Sequence, residues 1–196
     1  MARTQSADYD KRREAIMAAA ALLYAKKGFL GASVAELADS CAISKSLLYH
    51  YYPAKDDILF DVMDTHVQTL VEAATRIEAG EGAADAKLRA LAHALMRLYS
   101  GAQASQKILL NELPNLPAPR RAIIVKHQRD LLDVVDRLTI ELRPKLTKSP
   151  ALRRPIVMMF FGMLNWTHIW FDPNGPTKAG KIADLATEMF LGGLPD

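Results

Sequence analysis

The sequence contains a single cysteine, Cys41, so no disulfide can form within the chain and no cysteine-based metal cage is available. No apolar run is long enough to cross a bilayer. The first residues mix charges of both signs, which is not the pattern of a signal peptide. These absences predict a cytoplasmic protein without membrane contact.

The chain also lacks the common signatures of catalysis. It has no glycine-rich phosphate loop, and its His, Asp and Glu residues show no recognised metal-ligand spacing. His127 and Asp130 would share one helix face, but an isolated pair of this kind is usually structural. We therefore expect no enzymatic activity, no cofactor and no metal.

Charge is unevenly distributed along the 196 residues. Residues 1–55 contain eight Lys or Arg and five Asp or Glu, a balance of +3, which leaves 17 of each sign in the remainder. The whole net charge of +3 therefore lies in the N-terminal quarter. This balance indicates either a surface for an anionic partner or solvated helix faces.

Apolar residues recur at helical spacing, which predicts an all-α fold. A first helix should run from about Asp8 to Lys27, with Gly28 as its C-terminal cap. Ser33 and Glu36 form a capping-box pattern that starts a second helix at Val34. Ser44 offers a second N-cap, and Pro53 ends the helix that follows. Two short helices joined by a tight turn make a helix-turn-helix.

The remaining residues predict a larger helical domain. A long helix from about Ala54 to Ala79 links it to the helix-turn-helix. Further helices are expected at about 84–99, 105–113, 120–143, 151–171 and 177–191, with breaks at the proline-rich segments PNLPAP and DPNGP. We predict a helix-turn-helix domain in residues 1–55 and a second, larger helical domain in residues 56–196.

The segment GASVAELADSCAISKSLLYHYYPAKDDIL, residues 31–59, resembles the TetR family of transcriptional repressors in the order of its caps, aromatics and basic residues. The resemblance implies a homodimer on a palindromic operator in double-stranded DNA. Three positions depart from the family pattern, and one of them is Leu47, which stands where Thr or Ser is common. Ala42 and Ser46 stand where glycine is common, so we expect the turn at Ala42 to avoid the left-handed region.

The resemblance also assigns roles to individual residues. Ser44 would cap the recognition helix and also contact the DNA, and Tyr52 would point into the core. Tyr51 could serve either the core or the DNA. Phosphate contacts are implied for Ser33, His50, Tyr51 and Lys55, and contacts with or near bases for Lys45, Ser46 and Tyr49.

In this family the C-terminal part binds a small effector and forms the dimer through its last two long helices. The pattern FFGMLNWTHIWFDPNGP is similar to a subgroup associated with fatty-acid, aromatic-acid and steroid catabolism, several members of which respond to acyl-CoA thioesters. The candidate effector contacts are Met159, Met163, Asn165, Trp166, Trp170, Arg120 and Arg121. Core packing, a subunit interface or solvated charge is the alternative explanation for each.

The resemblance implies a ligand-responsive repressor that a small hydrophobic effector, such as an acyl-CoA, releases from DNA. Effector binding would widen the separation of the two recognition helices, with the helix from Ala54 to Ala79 as the mechanical link. The alternative is a helix-turn-helix regulator without a small-molecule switch.

Overall fold

A computed structural model describes the backbone of residues 2–195 and the side chains of residues 8–195. All regular structure in that range is helical, which confirms the predicted all-α class. No helix in residues 2–195 is long and apolar enough to span a membrane. The helices are α1 (Ala2–Lys27), α2 (Val34–Ser40), α3 (Lys45–Tyr51), α4 (Lys55–Ala79), α5 (Ala84–Gly101), α6 (Gln103–Asn111), α7 (Ala118–Leu142), α8 (Pro150–Asn165), α9 (Thr167–Trp170) and α10 (Ala179–Gly192), with short 3-10 turns at Leu113–Asn115 and Pro144–Lys148.

The predicted caps set the ends of the first helices. The Ser33 hydroxyl accepts from the Glu36 amide at 3.1 Å, and the Glu36 carboxylate accepts from the Ser33 amide at 2.9 Å. Ser44 caps α3 by accepting from the Leu47 amide at 3.1 Å. Gly28 has φ of 77° and donates its amide to the Tyr24 carbonyl at 2.8 Å, as expected for a C-terminal cap.

The chain divides into two compact units. The first contains residues 1–67 and 104–124, and the second contains residues 68–103 and 125–196. Both α4 and α7 therefore contribute residues to each unit. The predicted division at residue 55 concerns function and stays a prediction. A boundary at residue 55 separates the helix-turn-helix from α4, α6 and the start of α7. The first compact unit, in contrast, contains the helix-turn-helix together with parts of these three helices.

The core of the helix-turn-helix is small and closely follows the predicted pattern. Leu37, Ala38 and Leu48 are each no more than 1% exposed, while Ile43 is half-buried. From α1 the side chains of Ile16, Ala20 and Tyr24 complete this core. Because α2 and α3 are only two turns long, packing against α1 rather than helix propensity stabilises them.

Tyr52 ties α1, the end of α3 and α4 together. The Tyr52 side chain is 2% exposed, and its hydroxyl accepts a hydrogen bond from Arg13 Nε at 3.1 Å. The same guanidinium pairs with Asp61 of α4, 3.1 Å from Nε. Burial raises the pKa of Tyr52, so the phenol stays neutral. The inward position predicted for Tyr52 agrees with this geometry.

In the second unit α10 packs chiefly on α5. Leu88, Leu91 and Leu95 of α5 are fully buried, and so is Ala183 of α10. At the edge of this contact, His93 Nε2 lies 2.8 Å from Asp184 Oδ1. The hydrogen bond with His93 lowers the pKa of Asp184.

Two local predictions were wrong. Ala42 has φ of 51°, in the left-handed region, although its turn was expected to avoid that region. The end of α2 forms a Schellman turn, in which the Ile43 amide donates to the Ala38 carbonyl at 3.1 Å and the Ala42 amide donates to the Asp39 carbonyl at 3.0 Å, and this turn places Ala42 in the left-handed region. The predicted helix 151–171 is also interrupted, because α8 ends at Asn165 and a separate turn of helix begins at Thr167.

The strain at Ala42 can be tested by replacing it with glycine. A left-handed alanine costs about 1–2 kcal/mol and glycine avoids this cost, so after allowing for unfolded-state entropy Ala42→Gly should raise the free energy of unfolding by about 0.5–1 kcal/mol. Urea denaturation measures the change. The matched control is Ala18→Gly, at an exposed position in the interior of α1, which should lower stability by a similar amount. A lower stability for Ala42→Gly would contradict the assignment of strain.

Candidate nucleic-acid interface

Helix α3 exposes one polar edge. Leu48 is 1% exposed and anchors the helix, while Tyr49 is 48% exposed. Lys45, Ser46 and His50 are exposed as well. The structure therefore brings four of the predicted DNA contacts together on a single short helix with its apolar side buried. A helix of this kind can enter the major groove of DNA with its N-terminal end.

Ser33 and Ser44 each cap a helix and keep a hydroxyl hydrogen for a further hydrogen bond. Each hydroxyl oxygen accepts the hydrogen bond from a helix amide described above. The hydroxyl hydrogen is not used in that bond, so each serine can still donate to a phosphate oxygen. Both residues are exposed and stand at the start of a helix, where the macrodipole favours an anion.

Tyr51 is held at the end of α3 by stacking. Its ring centroid lies 4.7 Å from that of Tyr9 in α1 and 5.6 Å from that of His50. The side chain is half-buried, so it belongs partly to the packing and partly to the surface. Sequence reasoning missed Tyr9 and Arg13 as supports of α3. Tyr9 and Arg13 are four residues apart, so they share one face of α1, and this spacing was the signal in the sequence.

The ammonium of Lys55 has a partner inside the protein. Lys55 Nζ donates to the Phe29 carbonyl and lies 4.2 Å from the centroid of the Phe29 ring. Burial lowers the pKa of Lys55, and the charge of Glu112 opposes this effect. Lys55 thus ties the start of α4 to the loop after α1. Its phosphate contact stays a prediction, and such a contact would have to compete with the carbonyl.

Other cations of the N-terminal quarter are also engaged. Lys27 pairs with Glu36, and this hydrogen bond lowers the pKa of Glu36 to about 2. Arg13 pairs with Asp61. Lys45, Lys11, Arg12 and Lys26 are exposed. Some basic side chains of this quarter are therefore paired with acids inside the protein, and others lie on a surface that can face an anion.

Cys41 lies in the turn before α3 and is half-buried. Burial raises the pKa of its thiol, which disfavours the nucleophilic thiolate. The turn is thus a packed element of the helix-turn-helix, and the thiol is not activated for covalent chemistry.

The residues predicted to bind an effector belong to both compact units. Met159, Trp166 and Trp170 are 68%, 63% and 53% exposed, so they cover a surface of the second unit. Met163 and Asn165 are half-buried. The arginines belong to the first unit, where Arg121 is exposed and Arg120 is bound to Asp56 and Asp57. Because these side chains lie in different units and environments, their common role in effector binding stays a prediction.

The capped pair α2 and α3, the buried anchor Leu48 and the exposed edge of α3 define a helix-turn-helix DNA-binding protein. The family comparison agrees over most of the chain. Residues 16–62 match the model of bacterial regulatory proteins of the tetR family, and residues 81–194 match the tetracyclin repressor-like C-terminal domain. The chain belongs to the TetR family of transcriptional repressors, and it is not an enzyme.

Individual relatives are similar over nearly the whole chain. The transcriptional repressor KstR2 of Mycolicibacterium smegmatis is 24% identical over 195 residues, which cover 93% of this chain and 90% of the relative. A TetR-family regulator from Bordetella parapertussis has a TM-score of 0.88 at 28% identity, covering 94% of this chain and 98% of that one. AibR in complex with isovaleryl coenzyme A and operator DNA has a TM-score of 0.80 at 27% identity, covering 91% and 97%.

Lys55 and Lys45 provide a matched test of the internal tie. Lys55→Ala removes a charged donor from the partly buried Phe29 carbonyl, so it should lower the free energy of unfolding by about 1–2 kcal/mol. Lys45→Ala removes an exposed side chain and should change stability by no more than about 0.5 kcal/mol. Urea denaturation of both variants measures the difference. Equal stabilities would mean that the Lys55 hydrogen bond contributes nothing to folding.

Proposed function

We propose that the protein is a homodimeric, cytoplasmic repressor that binds a palindromic operator and is released from it by a small hydrophobic effector, with acyl-CoA thioesters as the effector class. Residues 1–55 would read DNA, and residues 56–196 would bind the effector and form the dimer. The observation that carries the proposal is the exposed polar edge of α3, held in place by the buried Leu48 and Tyr52.

Along that edge the side chains divide by chemistry. Lys45, Ser46 and Tyr49 lie in the first turns of α3, from which a recognition helix reaches base edges. His50, near the end of α3, would reach phosphates. Ser33, Ser44, Tyr51 and Lys55 are the further phosphate contacts that we propose, Lys55 only if its ammonium exchanges the Phe29 carbonyl for a phosphate. Phosphate contacts would give affinity, and base contacts would give sequence choice.

An apolar surface on α8, α9 and α10 supports the dimer. Its members are large hydrophobic side chains that are 43–70% exposed in the single chain: Leu152, Met158, Met159, Trp166, Ile169, Trp170, Leu185 and Met189. An added Cβ at Gly162 of α8 would meet no atom within 4 Å, so another helix could approach closely there. A patch of this kind marks an interaction site, and a two-fold dimer would bury it against its own copy.

The effector class rests on the likeness to AibR, whose structure contains isovaleryl coenzyme A together with operator DNA. KstR2 of Mycobacterium tuberculosis, described as a ketosteroid transcriptional regulator, shares the fold. In this chain Met163 and Asn165 are the half-buried candidates for an acyl contact, and the exposed Arg121 is the candidate cation. Met159, Trp166 and Trp170 would serve both the dimer and the effector only if the two sites adjoin.

Effector binding would act by changing the separation of the two recognition helices. A ligand shifts such an equilibrium only by its difference in affinity for the two states. Helix α4 begins three residues beyond the C-cap of α3 and extends into the second unit, so it is the proposed mechanical link.

Base reading by α3 can be tested with Tyr49→Ala. The operator is first selected by the wild-type protein from a random DNA pool. Tyr49→Ala should weaken binding to this operator by about 1–3 kcal/mol, whereas binding to unrelated DNA of the same length should hardly change. Binding titrations at fixed salt measure both, and the mass of the complex gives the number of chains per operator. Equal losses for the two DNAs would contradict base reading, and one chain per operator would exclude the dimer.

Effector release can be tested on the same operator complex. Acyl-CoAs of increasing chain length should dissociate it at micromolar concentrations, because the thioester supplies an apolar chain and the coenzyme supplies phosphates. Coenzyme A alone and the matching free acids are the controls and should leave the complex intact. Release by a free acid at equal concentration would show that the protein does not recognise the coenzyme part of the thioester. Retention of DNA with every compound would favour the alternative, a regulator without a small-molecule switch.

A further inference from the structure

The segment 104–124 belongs to the same compact unit as the helix-turn-helix and interacts with α4 at three points. At one end Gln106 Oε1 lies 2.8 Å from His66 Nε2, with both side chains buried. In the middle, the Glu112 carboxylate accepts from Asn115 at 2.6 Å, and its charge acts on Lys55. At the other end Arg120 meets the start of α4. This segment therefore supports α4, the helix that follows the helix-turn-helix, between Lys55 and His66.

Arg120 makes the most specific of these contacts. One terminal nitrogen of its guanidinium donates to Asp56 Oδ2 at 3.0 Å, and the other donates to Asp57 Oδ1. The guanidinium carbon lies 5.6 Å from the centroid of the Phe60 ring. Two carboxylates and an aromatic face around one planar cation fix its orientation in a way that a single exposed ion pair does not.

Arg120 also occupies an unfavourable position for an isolated helix. It lies in the first turn of α7, where the helix dipole disfavours a cation, while Asp56 and Asp57 lie in the first turn of α4, where the dipole favours an acid. The pairing with two carboxylates compensates for the placement of Arg120. The unfavourable position of the Arg120 cation in α7 indicates that its role is to join the N-terminus of α7 to the N-terminus of α4.

The carboxylates held by Arg120 lie at the joint behind the recognition helix. Asp57 Oδ2 accepts from the Ala54 amide at 2.7 Å and so caps the start of α4. Ala54 follows Tyr52, the C-cap of α3, by two residues. Arg120 therefore fixes the carboxylate that shapes the turn between α3 and α4.

We propose that Arg120, Asp56 and Asp57 form a latch that sets the pose of the recognition helix, and that Arg120 is a positioning residue for DNA binding rather than an effector contact. Because α7 continues from Arg120 into the second unit, the latch is a second path for the effector response beside α4. The inference rests on the proposed dimer and operator. In a dimer, a fixed pose restricts the half-site spacings that both recognition helices can reach.

Arg120→Gln tests the latch, with Arg129→Gln as the matched control. Arg129 is an exposed residue of the same helix, so both changes remove one positive charge. Binding is measured on the selected operator and on versions with one or two base pairs added or removed at its centre. Wild type and Arg129→Gln should discriminate sharply between spacings. For each variant we compare the affinity for the best spacing with the affinity for an altered spacing. Arg120→Gln should reduce the ratio of these two affinities by at least about fivefold, the scale of a typical coupling.

Two further variants separate positioning from folding. Asp56→Asn removes one side of the latch but keeps the Asp57 cap, so it should relax the spacing preference in the same direction. Arg120→Lys should restore part of that preference, because an ammonium can pair with one carboxylate but lacks the planar fork that reaches both. Circular dichroism confirms that each variant used is folded.

The outcomes distinguish the latch from the proposed function. If the wild-type protein selects no DNA from the pool, the proposed function fails and the latch, which presupposes an operator, fails with it. If it selects an operator but Arg120→Gln and Asp56→Asn keep the wild-type spacing preference, only the latch is overturned. A uniform loss of affinity at all spacings would show that Arg120 contributes charge alone, and this result also overturns the latch.

Discussion

The hydrogen bond from Arg13 to the buried hydroxyl of Tyr52 joins the parts of the helix-turn-helix. Arg13 also pairs with Asp61, so one guanidinium connects α1, the end of α3 and α4. Together with the buried Leu48, this tie fixes the side of α3 that lies opposite its exposed edge. A two-turn helix has too few internal hydrogen bonds to persist alone, so tertiary contacts determine the direction of Tyr49 and His50.

Basic side chains in this chain serve two purposes that compete. Lys55 and Arg13 are tied to groups within the first unit, and Arg120 bridges two carboxylates there. A cation committed to an internal partner must give up that partner before it can contact a phosphate. Exposed cations such as Lys45 and Arg12 carry no such cost. The positive balance of the N-terminal quarter therefore overstates the charge that is free for DNA.

The second unit presents a related competition among apolar residues. Met159, Trp166 and Trp170 were predicted to contact an effector, yet they are exposed in the single chain beside other large hydrophobic residues. Exposed apolar area is costly in water, and burial against a second copy removes that cost. The proposed dimer therefore accounts for these side chains more directly than effector binding does, which leaves Met163 and Asn165 as the better candidates for an effector.

Local patterns in the sequence determined the helix class, the capping box of Ser33 and Glu36, the Ser44 cap and the inward Tyr52, because each depends on neighbours within a few residues or on a buried face. Only the tertiary structure decided that Lys55 binds the Phe29 carbonyl, 26 residues away, and that Arg120 binds Asp56, 64 residues away. The left-handed φ of Ala42 also appears only in the folded chain, where the Ile43 amide donates to the Ala38 carbonyl and closes the end of α2. Charged side chains have no periodic signature for a distant partner, so their roles appear only when the chain is folded.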